Sequence, residues 1–250
     1  MKKILVLGTS HVGAIKVGID HHQSLSGPQF DYLALGSGPN FDSFYVADRL
    51  IAFPESKAKQ IENAYGFKSF VALDDYDAVL FVHGSCRLCL ELYSSDRRIP
   101  LLSRQVVREI AFRIDVPLYQ SLAQVLDPSK LIFLGAPLIA SSTRKSRYKP
   151  QLPVIDTPED MSRAQRLAAL IRDVCRASID DPLRPSILLP PPHLLERHQF
   201  NTLDVNIRGG LSIRGQSKNP DAQIALDPRH GNALYGQAMG RLVLDYIDKC

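Results

Sequence analysis

The chain has 250 residues, 45% of them hydrophobic and 22% charged, with 15 Gly and 17 Pro spread along it, which is the balance of a globular protein that buries a full core. That composition excludes collagen-like and disordered classes, and 4 Cys are too sparse for a secreted disulfide framework. Thirty Lys and Arg against 26 Asp and Glu give a net charge of +4, a mild bias toward anionic ligands that falls far short of a dedicated nucleic-acid binder.

In chain order, Met1-Lys2-Lys3 precedes an apolar run that Gly8-Thr9-Ser10-His11 ends too soon for the core of a secretion signal. No stretch is long enough to span a bilayer, so the expected setting is the cytoplasm, with no membrane partner. Short apolar runs recur at residues 4–7, 32–35, 78–82, 131–134 and 187–189. Each has the character of a buried parallel strand, which needs no polar alternation because helices cover both faces of the sheet. The segments between them are long enough to hold crossover helices.

The clearest helix runs from 158 to about 178, where Met161, Ala164, Leu167, Ala168, Ile171, Val174 and Cys175 form one stripe. Thr157 with Asp160 forms a capping box, Pro158 suits the first helical position, and Asp181-Pro182 marks the stop. Near 203–207, Leu203, Val205 and Ile207 alternate with polar residues before Gly209-Gly210, which reads as a β-hairpin over about 201–215. A last helix is expected from about 232 to 248, with Leu234, Ala238, Leu242 and Tyr246 at four-residue steps. No repeat or linker divides the chain. The expected fold is one α/β domain over 1–250: three layers, α/β/α, around a doubly wound parallel sheet of about five strands, with a late β-hairpin insertion.

In such sheets ligands bind beyond the carboxyl ends of the strands. The residues there are Gly8-Thr9-Ser10-His11, Gly36-Ser37-Gly38-Pro39-Asn40, His83-Gly84-Ser85-Cys86, Gly135-Ala136-Pro137 and Pro190-Pro191-Pro192-His193. Ser10 falls where the first helix begins, with its N–H at the positive end of that helix. A second constellation, Asp227-Pro228-Arg229-His230-Gly231-Asn232, immediately precedes the last helix. Asp and His three apart in a turn can meet, so the carboxylate orients the imidazole and stabilises it when protonated. Serine needs such a partner to become a nucleophile.

With Ser10 after the first strand and Asp227-x-x-His230 before the last helix, the sequence resembles the SGNH (GDSL-like) hydrolases, as a divergent bacterial member. The resemblance spans the chain and extends to the Gly-Asn-Ala-Leu-Tyr-Gly that follows His230. It implies a flavodoxin-like sheet and a serine esterase or acyltransferase working on an acyl ester, by family habit that of a carbohydrate. It assigns Ser10 as nucleophile, His230 as general base and Asp227 as its orienter. The oxyanion hole is implied to use the Ser10 backbone N–H and a glycine after the second strand, Gly38, with Gly36 as competitor.

Two departures stand out: Thr9 replaces the family's Asp, and His83-Gly84-Ser85-Cys86 lacks the Asn of the family's third block. Losing one oxyanion donor costs roughly 3 to 4 kcal/mol of barrier, and Ser85 or Arg87 is the available substitute. His11, Asn40, His83, Arg87 and Arg144 are the candidates for substrate contact, although a histidine opening a helix is most often structural.

His83-x-x-Cys86-x-x-Cys89 offers three ligands where a closed zinc site needs four, so the cysteines read as structural and no metal is expected. No cofactor is expected either, unless the enzyme is a transferase with a coenzyme A thioester as acyl donor. The basic run 141–150 lacks the aromatic interleaving that single-stranded nucleic acids need, and the expected partner is a small-molecule or glycan acyl ester. Two rival readings stand beside this one. Gly8-x-Ser10-x-x-Gly13 is one residue from a dinucleotide fingerprint, which makes a nucleotide-binding protein, and loss of the oxyanion Asn makes a non-catalytic glycan-binding relative.

Overall fold

The computed structural model describes residues 1–23, 26–35, 44–67, 70–83, 103–112, 116–135, 137–138, 142, 152, 154–207 and 231–249. All five apolar runs are strands: β1 (Lys3–Gly8), β2 (Gln29–Ala34), β6 (Ala78–His83), β7 (Leu131–Gly135) and β8 (Ser186–Leu188). They form one five-stranded sheet in the order β2-β1-β6-β7-β8, every pair parallel. Taken in chain order, that is 2-1-3-4-5, the doubly wound flavodoxin-like arrangement, whose topological switch point lies between its first and third strands.

Side chains alternate across this sheet into two cores. Ile4, Val6, Leu80, Val82, Ile132 and Leu134 pack on one face against α1 (Val12–His22) and α6 (Ala233–Ile247). Leu5, Leu7, Val79, Phe81, Leu131 and Phe133 pack on the other against α4 (Pro117–Val125) and α5 (Pro158–Ile179). Continuous apolar runs are what a strand covered on both faces requires. The capping box on α5 is present in full, Asp160 N–H donating to Thr157 Oγ1 at 3.1 Å and Thr157 N–H to Asp160 Oδ2 at 3.2 Å. Helix α3 (Arg104–Phe112) lies against α5.

A second, three-stranded antiparallel sheet is new relative to the sequence reading: β3 (Tyr45–Ala47), β4 (Leu50–Ala52) and β5 (Phe70–Ala72), with α2 (Glu55–Tyr65) between the last two. Each strand has only three residues, so one position apiece, partly buried Val46 and buried Ile51 and Val71, turns to the core, too few to show a period.

The hairpin expected at 201–215 is not what forms over its described half. Residues 204–206 make a single 3₁₀ turn, with Asn206 N–H donating to Leu203 C=O at 2.9 Å and Ile207 N–H to Asp204 C=O at 3.0 Å. The apolar alternation misleads because Asn206, one of its polar members, is buried alongside Ile207, and Val205, one of its apolar members, is not. The Asn206 amide donates to Leu194 C=O at 3.0 Å, while Val205 is 58% exposed. Residues 208–215 lie outside the described residues.

Candidate functional site

Ser10 stands where the reading placed it, exposed in the turn between β1 and α1, at the carboxyl edge of the sheet. The turn is held from two sides. Thr9 N–H donates to Val82 C=O on β6 at 3.2 Å, and Val12 N–H donates to Thr9 C=O at 3.0 Å. Ser10 therefore sits at the switch point between β1 and β6, where doubly wound sheets open their ligand crevice. His83 ends β6 across that point, half-buried, its ring stacked on Phe81 at 6.0 Å between centroids. His11 occupies the N-cap position of α1 and is only 5% exposed.

Of the constellation that precedes the last helix, Gly231 and Asn232 lie among the described residues. Asn232 caps α6: its Oδ1 accepts from Tyr235 N–H at 3.1 Å, its amide donates to Val205 C=O at 2.6 Å, and its own N–H donates to Asn206 C=O at 2.9 Å. One turn on, Tyr235 is fully buried and its hydroxyl donates to Gly135 C=O, at the carboxyl end of β7, at 3.2 Å. Burial pushes that phenol well above its ordinary value, so it stays a donor. These bonds set the start of α6 over the same sheet edge as Ser10. At the opposite edge, the Lys2 ammonium donates to Ile247 C=O at 2.9 Å, at the end of the helix.

Helices α1 and α6 run side by side in the same direction, and small residues set how near they come. A methyl group built on Gly236 would lie 2.1 Å from Ala14 C=O; one on Gly18 would lie 1.6 Å from Gly236 C=O; one on Gly240 would lie 2.3 Å from the Gly18 carbonyl carbon. Only glycine permits that backbone approach. Carried back along both helices, the Ala14–Gly236 and Gly18–Gly240 register sets the turn holding Ser10 level with the residues that open α6. The sequence reading missed this pair, although small residues four apart on both helices were its signal.

Asp227 and His230 lie outside the described residues, as do Gly36, Gly38, Asn40, Ser85, Cys86, Arg87, Cys89 and Arg144. Among the described residues no group of three His, Cys, Asp or Glu side chains could hold a metal ion, and no helix is long and apolar enough to cross a membrane. A cleft of about 960 Å³ is lined by β2, α1 and α2. Its lysines were also not singled out from sequence, being spread over two helices.

The fold and edge geometry define an α/β protein of doubly wound type with an exposed serine at its switch point. Compared with known proteins, the chain matches no family model, no curated protein and no solved structure.

Proposed function

We propose that the chain is a serine esterase or acyltransferase of the SGNH type, acting on an acyl ester of a carbohydrate. The observation that carries this reading is the parallel α1–α6 pair, which brings the start of α6 level with Ser10 at one sheet edge. His230 directly precedes Gly231 in the sequence, and with it the helix α6 that this pair positions. Asp227 is three residues further back along the same segment.

In this reading His230 takes the Ser10 hydroxyl proton as Oγ attacks the ester carbonyl carbon. The oxyanion is held by the Ser10 N–H at the positive end of α1, by Gly38 N–H and by Ser85 in place of the missing Asn. Collapse breaks the bond to the leaving alcohol, which receives the proton from His230 and leaves an acyl-serine. Water, or an acceptor hydroxyl, then attacks that acyl group with His230 again as base, and Ser10 is regenerated. Asp227 steadies the imidazolium in both halves. In the transferase variant a coenzyme A thioester supplies the acyl group. The mild charge and sparse cysteines favour a small-molecule or glycan substrate in the cytoplasm over a nucleic-acid partner.

A fluorophosphonate probe tests this directly. Folded protein is expected to be labelled at Ser10, and Ser10→Ala to lose both the label and p-nitrophenyl acetate turnover by about a thousandfold or more. Turnover that survives Ser10→Ala overturns the proposal.

A further inference from the structure

The cleft between β2, α1 and α2 has a character that acyl chemistry alone does not call for. Its volume of about 960 Å³ falls inside the roughly 300 to 1,000 Å³ of small-molecule sites. One wall is Leu35, whose N–H donates to Gly8 C=O at 2.7 Å, two residues before Ser10. Another is Lys16 on α1, which at 1.5 Å per residue stands about 9 Å along the helix from Ser10. The cleft thus shares β2 and α1 with the framework that carries Ser10.

Its charge is one-sided. Lys16, Lys57 and Lys59 line it, and no described lining residue is acidic. Lys16 is neutralised by Asp20 four residues on and lies 5.0 Å from the centre of the Tyr32 ring. Lys57 and Lys59, from the first turns of α2, have no ion pair among the described residues. Both ammonium groups lie near the amino end of α2, whose first turn holds one carboxylate, Glu55, and the lysines and the positive helix end together favour a bound anion. The amides of Gln60 and Asn63 add neutral donors, and Ile61 and Phe44 give the cleft an apolar wall. A dianion on a partly apolar, hydroxyl-bearing body satisfies all of these at once.

We propose that this cleft binds a small phosphorylated carbohydrate, its phosphate held by Lys57 and Lys59 and its hydroxyls by Gln60 and Asn63. The proposal rests on the esterase reading only in making that carbohydrate the carrier of the acyl group; the binding itself needs no Ser10.

Isothermal titration of the full chain with glucose 1-phosphate, glucose 6-phosphate, inorganic phosphate and glucose, at matched ionic strength, tests it. At least one sugar phosphate is expected to bind more tightly than inorganic phosphate, with glucose giving no heat. A Lys57→Ala/Lys59→Ala double variant with an unchanged melting curve is expected to lose about tenfold or more in affinity, and the double arginine variant to keep most of it. No binding by either sugar phosphate, affinity equal to that of inorganic phosphate, or affinity undiminished in the alanine variant overturns the proposal. Ser10→Ala is expected to bind as the parent does. Sugar-phosphate binding without fluorophosphonate labelling sinks the esterase reading alone, and labelling without binding sinks this one alone.

Discussion

His198 shows how a single side chain ties the segment after β8 together. It is 9% exposed, its Nδ1 accepts from Phe200 N–H at 3.1 Å, and its Nε2 faces Glu196 Oε2 at 3.0 Å. Because a backbone N–H can only donate, Nδ1 carries no proton and Nε2–H donates to the carboxylate. Burial lowers the His198 pKa from its ordinary 6.5, and the Glu196 carboxylate opposes this only in part. The folded chain thus binds fewer protons here than the unfolded chain just below the ordinary value. The contribution to stability is complete above about pH 6.5, declines as pH falls below it, and stops changing once the folded state is itself protonated. Protonation would also set an Nδ1–H against the Phe200 N–H. In His198→Asn the side-chain oxygen keeps the acceptor without titrating, so its melting temperature is expected to fall less than the parent's as pH drops below 6.5. Parallel curves for the two proteins would contradict the assignment.

At the scale of elements, the glycine-lined contact between α1 and α6 sets the register of the two helices. Gly236→Ala would drive a methyl group into Ala14 C=O, 2.1 Å away, and that neighbour is backbone with no rotamer to yield. Overpacking of this kind costs about 3 kcal/mol, and relief by sliding α6 moves the chain that leads back to His230. Denaturant unfolding is expected to register that loss, and fluorophosphonate labelling of the remaining folded protein to slow with it; a change below about 0.5 kcal/mol would show that the helices are not in this register. The strands of the large sheet were legible because burial on both faces leaves an uninterrupted apolar run. The small sheet was not, because its strands are three residues long. Its hairpin also turns at Asp48 and Arg49, both at positive φ, without the glycine that announces such a turn. The 204–206 turn was misread because a hydrogen-bonded asparagine took the place of an apolar side chain in the interior.

At the scale of the whole molecule, the turn at Ser10 and the start of α6 stand at one edge of the large sheet although most of the chain lies between them in sequence. Ser10 was legible because strand, turn and helix follow one another without a break. Tyr235 and the cleft lysines were not, since what gives them meaning is their three-dimensional neighbours Gly135, Leu35 and Gly8. The last helix makes the dependence of site on fold testable. A chain ending at residue 230 keeps Ser10, Asp227 and His230 but loses Tyr235, Met239, Val243 and Ile247, all buried in the core beside α1. At about 1.5 to 3 kcal/mol for each buried side chain, their removal forfeits about 6 to 12 kcal/mol. That matches the roughly 5 to 15 kcal/mol by which a domain is stable at all. The truncated chain is expected to show no cooperative thermal transition and no labelling of Ser10. Cooperative melting of that chain would mean that α6 is an appendage to the domain, and labelling at the parent rate would mean that the serine is activated from elsewhere.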